Sequence, residues 1–299
     1  YTAMLILREY RTEDDLREFL SFVLNRLHQH LLVNNSLLYA KELRQPAARY
    51  FTTASKTNGV PPYAFILDDS KSYGPYIYAL TTGTHDLPLL RSAVCELLNL
   101  SREHFIERKL LTIFTEDATR ATVLETLKEA VAAARPNTFN DRKFYMTDAQ
   151  IGKVIQQEIR LPNDFYFDEI DADRELEAIH TAWRHAESLG ATKLLIDNYP
   201  SACIRNAPTG KLAAWELSSP YGTLNHLYVV PEYRGLGLGP AVETKLCQQL
   251  ASKGIRPYKT VETHNTPVLR GTQASSLWTG CYEPDGTPKL FVYIVLTLD

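Results

Sequence analysis

The chain has 299 residues, 44% of them hydrophobic and 22% charged, and a formal net charge of −3. That balance supplies material for packed cores and excludes extensive disorder. It also excludes a global basic field that would recruit nucleic acid or an anionic membrane, so an anionic ligand needs a local site.

The length favours two domains of about 150 residues each. Met4 to Leu7 reads as a short strand, after which Thr12-Glu-Asp-Asp15 caps a helix with Leu16, Phe19, Leu20, Val23 and Leu27 on one face. Tyr50 to Thr53, Tyr63 to Asp68 and Tyr76 to Leu80 are short aromatic and β-branched runs separated by turn residues, which predicts consecutive strands. A helix at Leu87–Leu98, a strand at Lys109–Phe114 and an Ala-rich helix at Asp117–Arg135 are expected next. Residues 136–163, with Pro136-Asn137 near one end and Pro162-Asn163 at the other, read as a connection holding a short helix at Asp148–Ile159.

The second half restarts with a predicted strand at Phe165–Ile170 and a helix at Asp173–Ala186 that sets Leu176, Ile179 and Trp183 on one face. Strands at 202–205, 212–217 and 223–230 follow, then a helix at 240–253, a strand at Arg256–Glu262, a helix near 268–277 and a C-terminal strand at Lys289–Leu298. Both halves open strand–helix–strands, as an ancient duplication would leave them. The first half contains no Gly-rich turn after a strand.

Cys95, Cys203, Cys247 and Cys281 form no CxxC pair, which argues against a disulfide scaffold or zinc knuckle and for reduced intracellular thiols. No apolar run approaches the roughly 20 residues of a membrane span. The opening YTAMLILREY runs into charge too soon for a secretory leader, and because Tyr1 is not an initiator Met the compartment is not legible from this end. His28 and His30 are two apart and His180 and His185 five apart, so neither pair converges on one metal.

The most informative stretch is Thr223–Gly254, a strand ending at Pro231, a turn Arg234-Gly-Leu-Gly-Leu-Gly239 and an amphipathic helix. Glycines let successive backbone N–H groups point into one concavity, and the positive end of a helix behind them suits a pyrophosphate. A Walker loop is absent, and the G-x-G-x-x-G spacing fails because the last position from Gly235 is Pro240. Pro240 suits a first turn, and Val242, Leu246 and Leu250 make a buried stripe.

What fits is R-x-x-G-x-G with Arg234, Gly237 and Gly239, preceded by Val229-Val-Pro-Glu-Tyr-Arg234. This resembles motif A of the Gcn5-related N-acetyltransferase (GNAT) superfamily. With Tyr199-Pro-Ser-Ala-Cys203, Gly210-Lys-Leu-Ala-Ala-Trp215, Gly222-Thr-Leu and Leu227-Tyr-Val-Val-Pro-Glu-Tyr-Arg234, the second half looks like the C-terminal domain of the glycine N-acyltransferase family. The resemblance covers residues 164–299. It implies an α/β (α+β) fold of two tandem GNAT-like domains, a mixed sheet flanked by helices, with a degenerate copy at 1–150, a connection at 151–163 and the working domain at 164–299.

The resemblance implies that coenzyme A is held by Leu227, Tyr228, Val229, Val230, Arg234, Gly235, Leu236, Gly237, Leu238 and Gly239, with Asn265 at a further contact. It implies an acyl-CoA donor, a small-molecule amine or amino acid as acceptor and a mitochondrial or cytoplasmic, intracellular site, while charge, hydropathy and the Cys and His spacings predict no nucleic acid, no membrane and no metal. A strand bulge at about Leu227–Val229 would free a backbone N–H for the oxyanion.

The chain departs from the family at two places. Thr223 stands where the family carries a basic Glu, and Asn225, on the same face by strand period, is likewise only a hydrogen-bonding group. His226 has a suitable pKa but by alternation points to the other face unless a bulge intervenes. Glu216 in the neighbouring strand and His264 are further candidates for the base. Ser276 stands four before Gly280-Cys281, where many members place an acidic Tyr. Arg205 is the candidate cation for an acceptor's carboxylate. A non-catalytic acyl-CoA binder and a protein or peptide N-acetyltransferase are the rival readings.

Overall fold

The computed structural model describes residues 6–23, 48–70, 73–82 and 85–298. Met4, Leu5, Leu27, His28 and His30 lie outside them. Contacts divide the chain into two compact units, one of residues 1–143, 261–269 and 281–299, the other of 144–260 and 270–280.

The first unit contains β1 (Leu7–Tyr10), α1 (Glu13–Val23), β2 (Arg49–Thr53), β3 (Tyr63–Ser70), β4 (Tyr73–Thr81), α2 (Leu87–Leu100), α3 (Arg102–Arg108), β5 (Leu110–Glu116), α4 (Arg120–Ala130) and most of β6 (Ala134–Tyr145). Its sheet runs β1-β2-β3-β4-β5, then β13 (Leu290–Leu298), then β6. The β4–β5 pair is parallel and the others are antiparallel. Phe65, Leu67, Ile77, Leu90, Val94, Leu97, Ile113, Val123, Val292 and Ile294 form its core.

Three sequence expectations are corrected here. The first strand runs from Leu7 to Tyr10, because its partner Arg49–Thr53 pairs with those residues. The expected helix over Asp117–Arg135 is a 3-10 turn followed by α4, which ends at Ala130, and the chain is extended again from Ala134. Pairing of Ala134–Arg142 with Leu298–Leu290 outweighs the local helix preference of the Ala-rich segment. The same pairing turns much of the expected connection into strand and places β13 in the first unit, although it is the last element of the chain.

The helix after β4 also explains the missing glycine turn. Asp86 caps α2, its carboxylate accepting from Leu89 N at 3.0 Å, while its own N–H donates to Tyr63 Oη at 2.9 Å. A helix start carrying the protein's own anion repels a second one.

On β6 the buried Asp141 carboxyl is pushed up to about 7, first by burial and then by the Glu262 carboxylate. An acid whose pKa is raised by folding contributes stability at pH below its unfolded value, and that stability is lost as pH rises through the folded value. Asp141→Asn is therefore expected to raise the thermal midpoint at about pH 8, the advantage closing toward about pH 4, as scanning calorimetry would show.

The second unit comprises α5 (Asp148–Gln156), β7 (Phe165–Asp168), α6 (Ala172–Thr181), α7 (Leu189–Asn198), β8 (Ser201–Asn206), β9 (Leu212–Ser218), β10 (Thr223–Val229), α8 (Leu238–Ser252) and the two-residue strand β12 (Thr279–Gly280), together with the first part of β11 (Tyr258–Glu262) and the last part of α9 (Thr266–Ala274). Its sheet runs β7-β8-β9-β10-β11, antiparallel except for the parallel β10–β11 pair. A reciprocal capping box between Thr147 and Gln150 starts α5. The single helix expected at Asp173–Ala186 stops at Thr181, and a separate α7 begins where Ser188 caps Ala191 N at 3.1 Å.

Candidate coenzyme A site

β10 leads into the glycine turn. Val230 N donates to Ala213 O at 2.9 Å and fixes the strand end against β9. Pro231–Tyr233 forms one 3-10 turn, and the Tyr233 ring meets Phe165 edge-on at 5.4 Å. Gly235 at φ +79° and Gly237 at φ +77° then take left-handed backbone that side chains with a Cβ rarely adopt. Gly237 is the N-cap of α8, so the helix begins at Leu238, two residues earlier than expected.

Leu238 is buried and anchors the helix start, whereas Arg234 through Gly237 are exposed. Among the described residues, the N–H groups of Gly235, Leu236, Gly237, Leu238 and Gly239 have no carbonyl or side-chain partner. They form a row of open donors at a helix N-terminus, which is the physical requirement for holding a pyrophosphate. Arg234 adds charge at the edge, with Nε donating to Val229 O at 3.1 Å and the guanidinium 5.8 Å from the Tyr228 ring centre.

The strand itself is irregular in two ways. Its parallel ladder with β11 consists of Thr223↔Tyr258 and Leu224↔Lys259 and goes no further, so the β11-facing edge from Asn225 to Val229 is unpaired. On the other edge the register with β9 shifts, Asn225 facing Leu217 but Tyr228 facing Trp215, so that His226 and Leu227 together oppose Glu216. The β-bulge expected at Leu227–Val229 falls at His226–Leu227, so the two spans share Leu227. His226 carries it in left-handed backbone at φ +55°.

The bulge resets the alternation of β10. His226 joins Asn225 and Tyr228 on the face of Trp215 and Leu217, where plain alternation puts it on the other. Its ring stacks on Trp183 at 5.1 Å and 11° and meets Trp215 edge-on at 5.8 Å. Nε2 lies 2.9 Å from Ile179 O and so carries the hydrogen, because a carbonyl only accepts. Burial pushes the imidazole down to about 4, partly offset by that hydrogen bond, with His180 lowering it further.

Glu216 faces the opposite way, under α8. Its carboxyl is held well above the usual carboxylate range by burial, then by the Glu243 carboxylate, with Lys259 opposing. Glu243 accepts from Trp278 Nε1 at 2.9 Å and from Lys259 Nζ. Oε2 of Glu216 has no partner among the described residues.

The other predicted residues are dispersed. Thr223 is buried, its N–H 3.3 Å from Ser219 Oγ and its carbonyl accepting from Ser219 N at 2.9 Å. Ser276 sits beside α5, where its hydroxyl accepts from Lys153 Nζ at 2.5 Å and its carbonyl accepts from Gln150 Nε2 at 3.1 Å. Asn265 opens α9, its carbonyl accepting from Leu269 N at 3.0 Å, and belongs by contact to the first unit. His264 Nε2 lies 2.8 Å from a Glu262 carboxylate oxygen. Trp183, expected on a helix face with Leu176 and Ile179, and Trp215, within the Gly210–Trp215 stretch, line the His226 face, a role that neither spacing nor composition marks.

Arg205 is not available for an acceptor. It is buried and binds Asp168, both oxygens of Glu175, Glu169 O at 2.9 Å and Gly210 O at 3.3 Å. Removing one partner of a buried ion pair strands the other, at a cost of about 3–5 kcal/mol. Arg205→Leu is expected to lower unfolding stability by about that amount in urea titrations. Among the described residues no three His, Cys, Asp or Glu side chains are grouped to hold a metal, and no helix is long and apolar enough to cross a membrane.

The family profile of FR47-like protein matches residues 202–270, from β8 through the glycine turn into α9. Among solved structures, a Drosophila protein from a structural genomics programme superposes with a TM-score of 0.72 over 99% of this chain and 99% of its own, at 15% identity. A tandem GNAT protein from the clavulanic acid biosynthesis pathway superposes at 0.52 over 97% of each chain, at 14% identity. A glucosamine N-acetyltransferase region of a fungal multi-domain β-N-acetylglucosaminidase reaches 0.50 over 99% of this chain and 38% of its own, at 12% identity. No curated protein matches the sequence significantly. At such identities the likeness is one of fold, and the architecture is that of two tandem GNAT-like domains.

Proposed function

We propose that this tandem GNAT-fold chain is an acyl-CoA-dependent N-acyltransferase, working through its second unit on a small amine, with glycine or another amino acid as the preferred class. One observation carries the reading: the open row of amides from Gly235 to Gly239 lies at the end of a strand whose β11-facing edge is unpaired. The turn suits the pyrophosphate and the free strand edge suits the amides of a pantetheine arm.

Acyl transfer then needs three things from the site. A backbone N–H at the His226–Leu227 bulge is suited to receive the oxyanion as the amine nitrogen bonds the thioester carbon. Breaking the C–S bond releases coenzyme A as a thiolate, which leaves without an acid at the Ser276 position. Thr223 and Asn225 supply no base and act on the attacking amine at most through ordered water.

Gly239 offers a clean test of the ligand. Its φ is not positive, and an added Cβ meets only Val229 Cγ2 at 3.5 Å, an ordinary contact. Gly239→Ala is therefore expected to leave the thermal midpoint unchanged while weakening coenzyme A binding about tenfold in calorimetric titration, because a backbone that a pyrophosphate approaches closely has little room for a methyl group. Unchanged affinity would remove the turn as the site.

A second reading, a non-catalytic acyl-CoA binder, is favoured by Thr223 where the resembling family has Glu. Tight binding of acetyl-, butyryl- and benzoyl-CoA without thiol release across a panel of amino acids would establish it.

A further inference from the structure

We infer that His226 contacts the acyl acceptor directly, its Nδ1 accepting a hydrogen bond from the attacking amine and fixing the direction of attack. The inference rests on the acyltransferase reading above and adds a residue to it. His226 is one of three described non-glycine residues with positive φ, and the only one of them within a strand of the sheet, on the portion of β10 that β11 leaves unpaired. Such a backbone costs about 1–2 kcal/mol for a residue with a Cβ and persists where surrounding structure enforces it.

What enforces it is specific. Trp183 and Trp215 fix the ring plane, and Ile179 O takes the Nε2 hydrogen, so the tautomer that remains has its lone pair on Nδ1. Nδ1 has no protein partner among the described residues. The same cluster holds a second unsatisfied group, the buried Nε1–H of Trp215, whose ring stacks on Tyr228 at 4.7 Å. One acceptor and one buried donor without partners mark a place that a polar molecule completes.

The group works as an acceptor and not as a base. Burial holds the imidazole neutral, and His180 on α6 opposes its protonation. In the step, the amine lone pair forms the N–C bond, the C–S bond breaks with its electron pair on sulfur, and the surplus proton on nitrogen passes to water. His226 keeps its single hydrogen on Nε2 throughout.

The test compares three rates on the full chain: acyl-CoA aminolysis, its hydrolysis without amine, and coenzyme A binding. His226→Phe keeps a stacking ring and is expected to slow aminolysis about 10- to 100-fold with raised amine KM, a loss at least about fivefold larger than any it causes in hydrolysis or coenzyme A affinity. His226→Asn tolerates left-handed backbone and returns an oxygen acceptor, so it is expected to recover most of the aminolysis. For the wild type, kcat/KM should follow the amine's own ionisation with no inflection between about pH 5 and 7.

Undiminished aminolysis in His226→Phe overturns the inference, as does an inflection near pH 6.5 that disappears in His226→Asn. Parallel loss of aminolysis, hydrolysis and coenzyme A binding in both variants also overturns it, because a purely structural histidine behaves that way. Failure of the wild type to bind coenzyme A would instead remove the acyltransferase reading on which the inference stands.

Discussion

Gly237→Asp is expected to weaken coenzyme A binding by two orders of magnitude or more, about 3 kcal/mol at the usual tenfold per 1.4 kcal/mol. Two costs add. The backbone at φ +77° disfavours any residue with a Cβ, although nothing lies within 4 Å of where that Cβ would be. The carboxylate then enters a concavity of N–H donors at a helix N-terminus, where it satisfies the amides itself and repels the incoming pyrophosphate. Asp86 on α2 is the internal precedent, since a carboxylate already occupies that helix start. Gly237→Asn separates the costs: Asn accepts left-handed backbone and brings no charge, so its affinity should fall between wild type and Gly237→Asp. Equal affinity for all three in calorimetric titration would show that the turn does not touch the ligand.

The second large effect falls on folding. Ile294→Asp is expected to abolish the cooperative unfolding of the first unit. Ile294 is completely buried on β13, opposite Ile113 on one side and Thr138 on the other. An unpaired carboxylate there must either stay charged without water or bind a proton, and either costs several kcal/mol of a total stability of about 5–15. Because β13 is the last strand of the chain yet lies between β5 and β6, removing residues 290–298 should have the same consequence. Both variants can be followed by circular dichroism and thermal melts. A melt like that of the wild type would contradict the packing of β13 as the interior strand of that sheet.

The sequence revealed those parts of the site that are local in the chain. Gly235, Gly237 and Gly239 after a proline-ended strand announce a turn of open amides without any partner segment, and Val242, Leu246 and Leu250 on α8 are buried as their spacing predicts. A bulge near His226 follows from the resemblance to motif A, whose strand carries one, but its left-handed residue leaves no compositional sign. Contacts between distant segments stayed hidden. The Ala-rich run before Arg135 reads as helix because its partner strand begins at Leu290, and Arg205 reads as a free cation because Glu175 and Asp168 are supplied by other elements. Trp183 meets His226 only after the chain breaks at Thr181, a break that helical periodicity conceals.

Amine-dependent release of coenzyme A thiol from acyl-CoA is the measurement closest to the central claim. The 299-residue chain would be followed with acetyl-, butyryl- and benzoyl-CoA, with and without glycine and other amino acids, beside Gly237→Asp. The account predicts release that requires the amine, saturates in acyl-CoA and disappears in the variant. Release that is absent throughout while coenzyme A binds tightly, or that persists undiminished in Gly237→Asp, would contradict it.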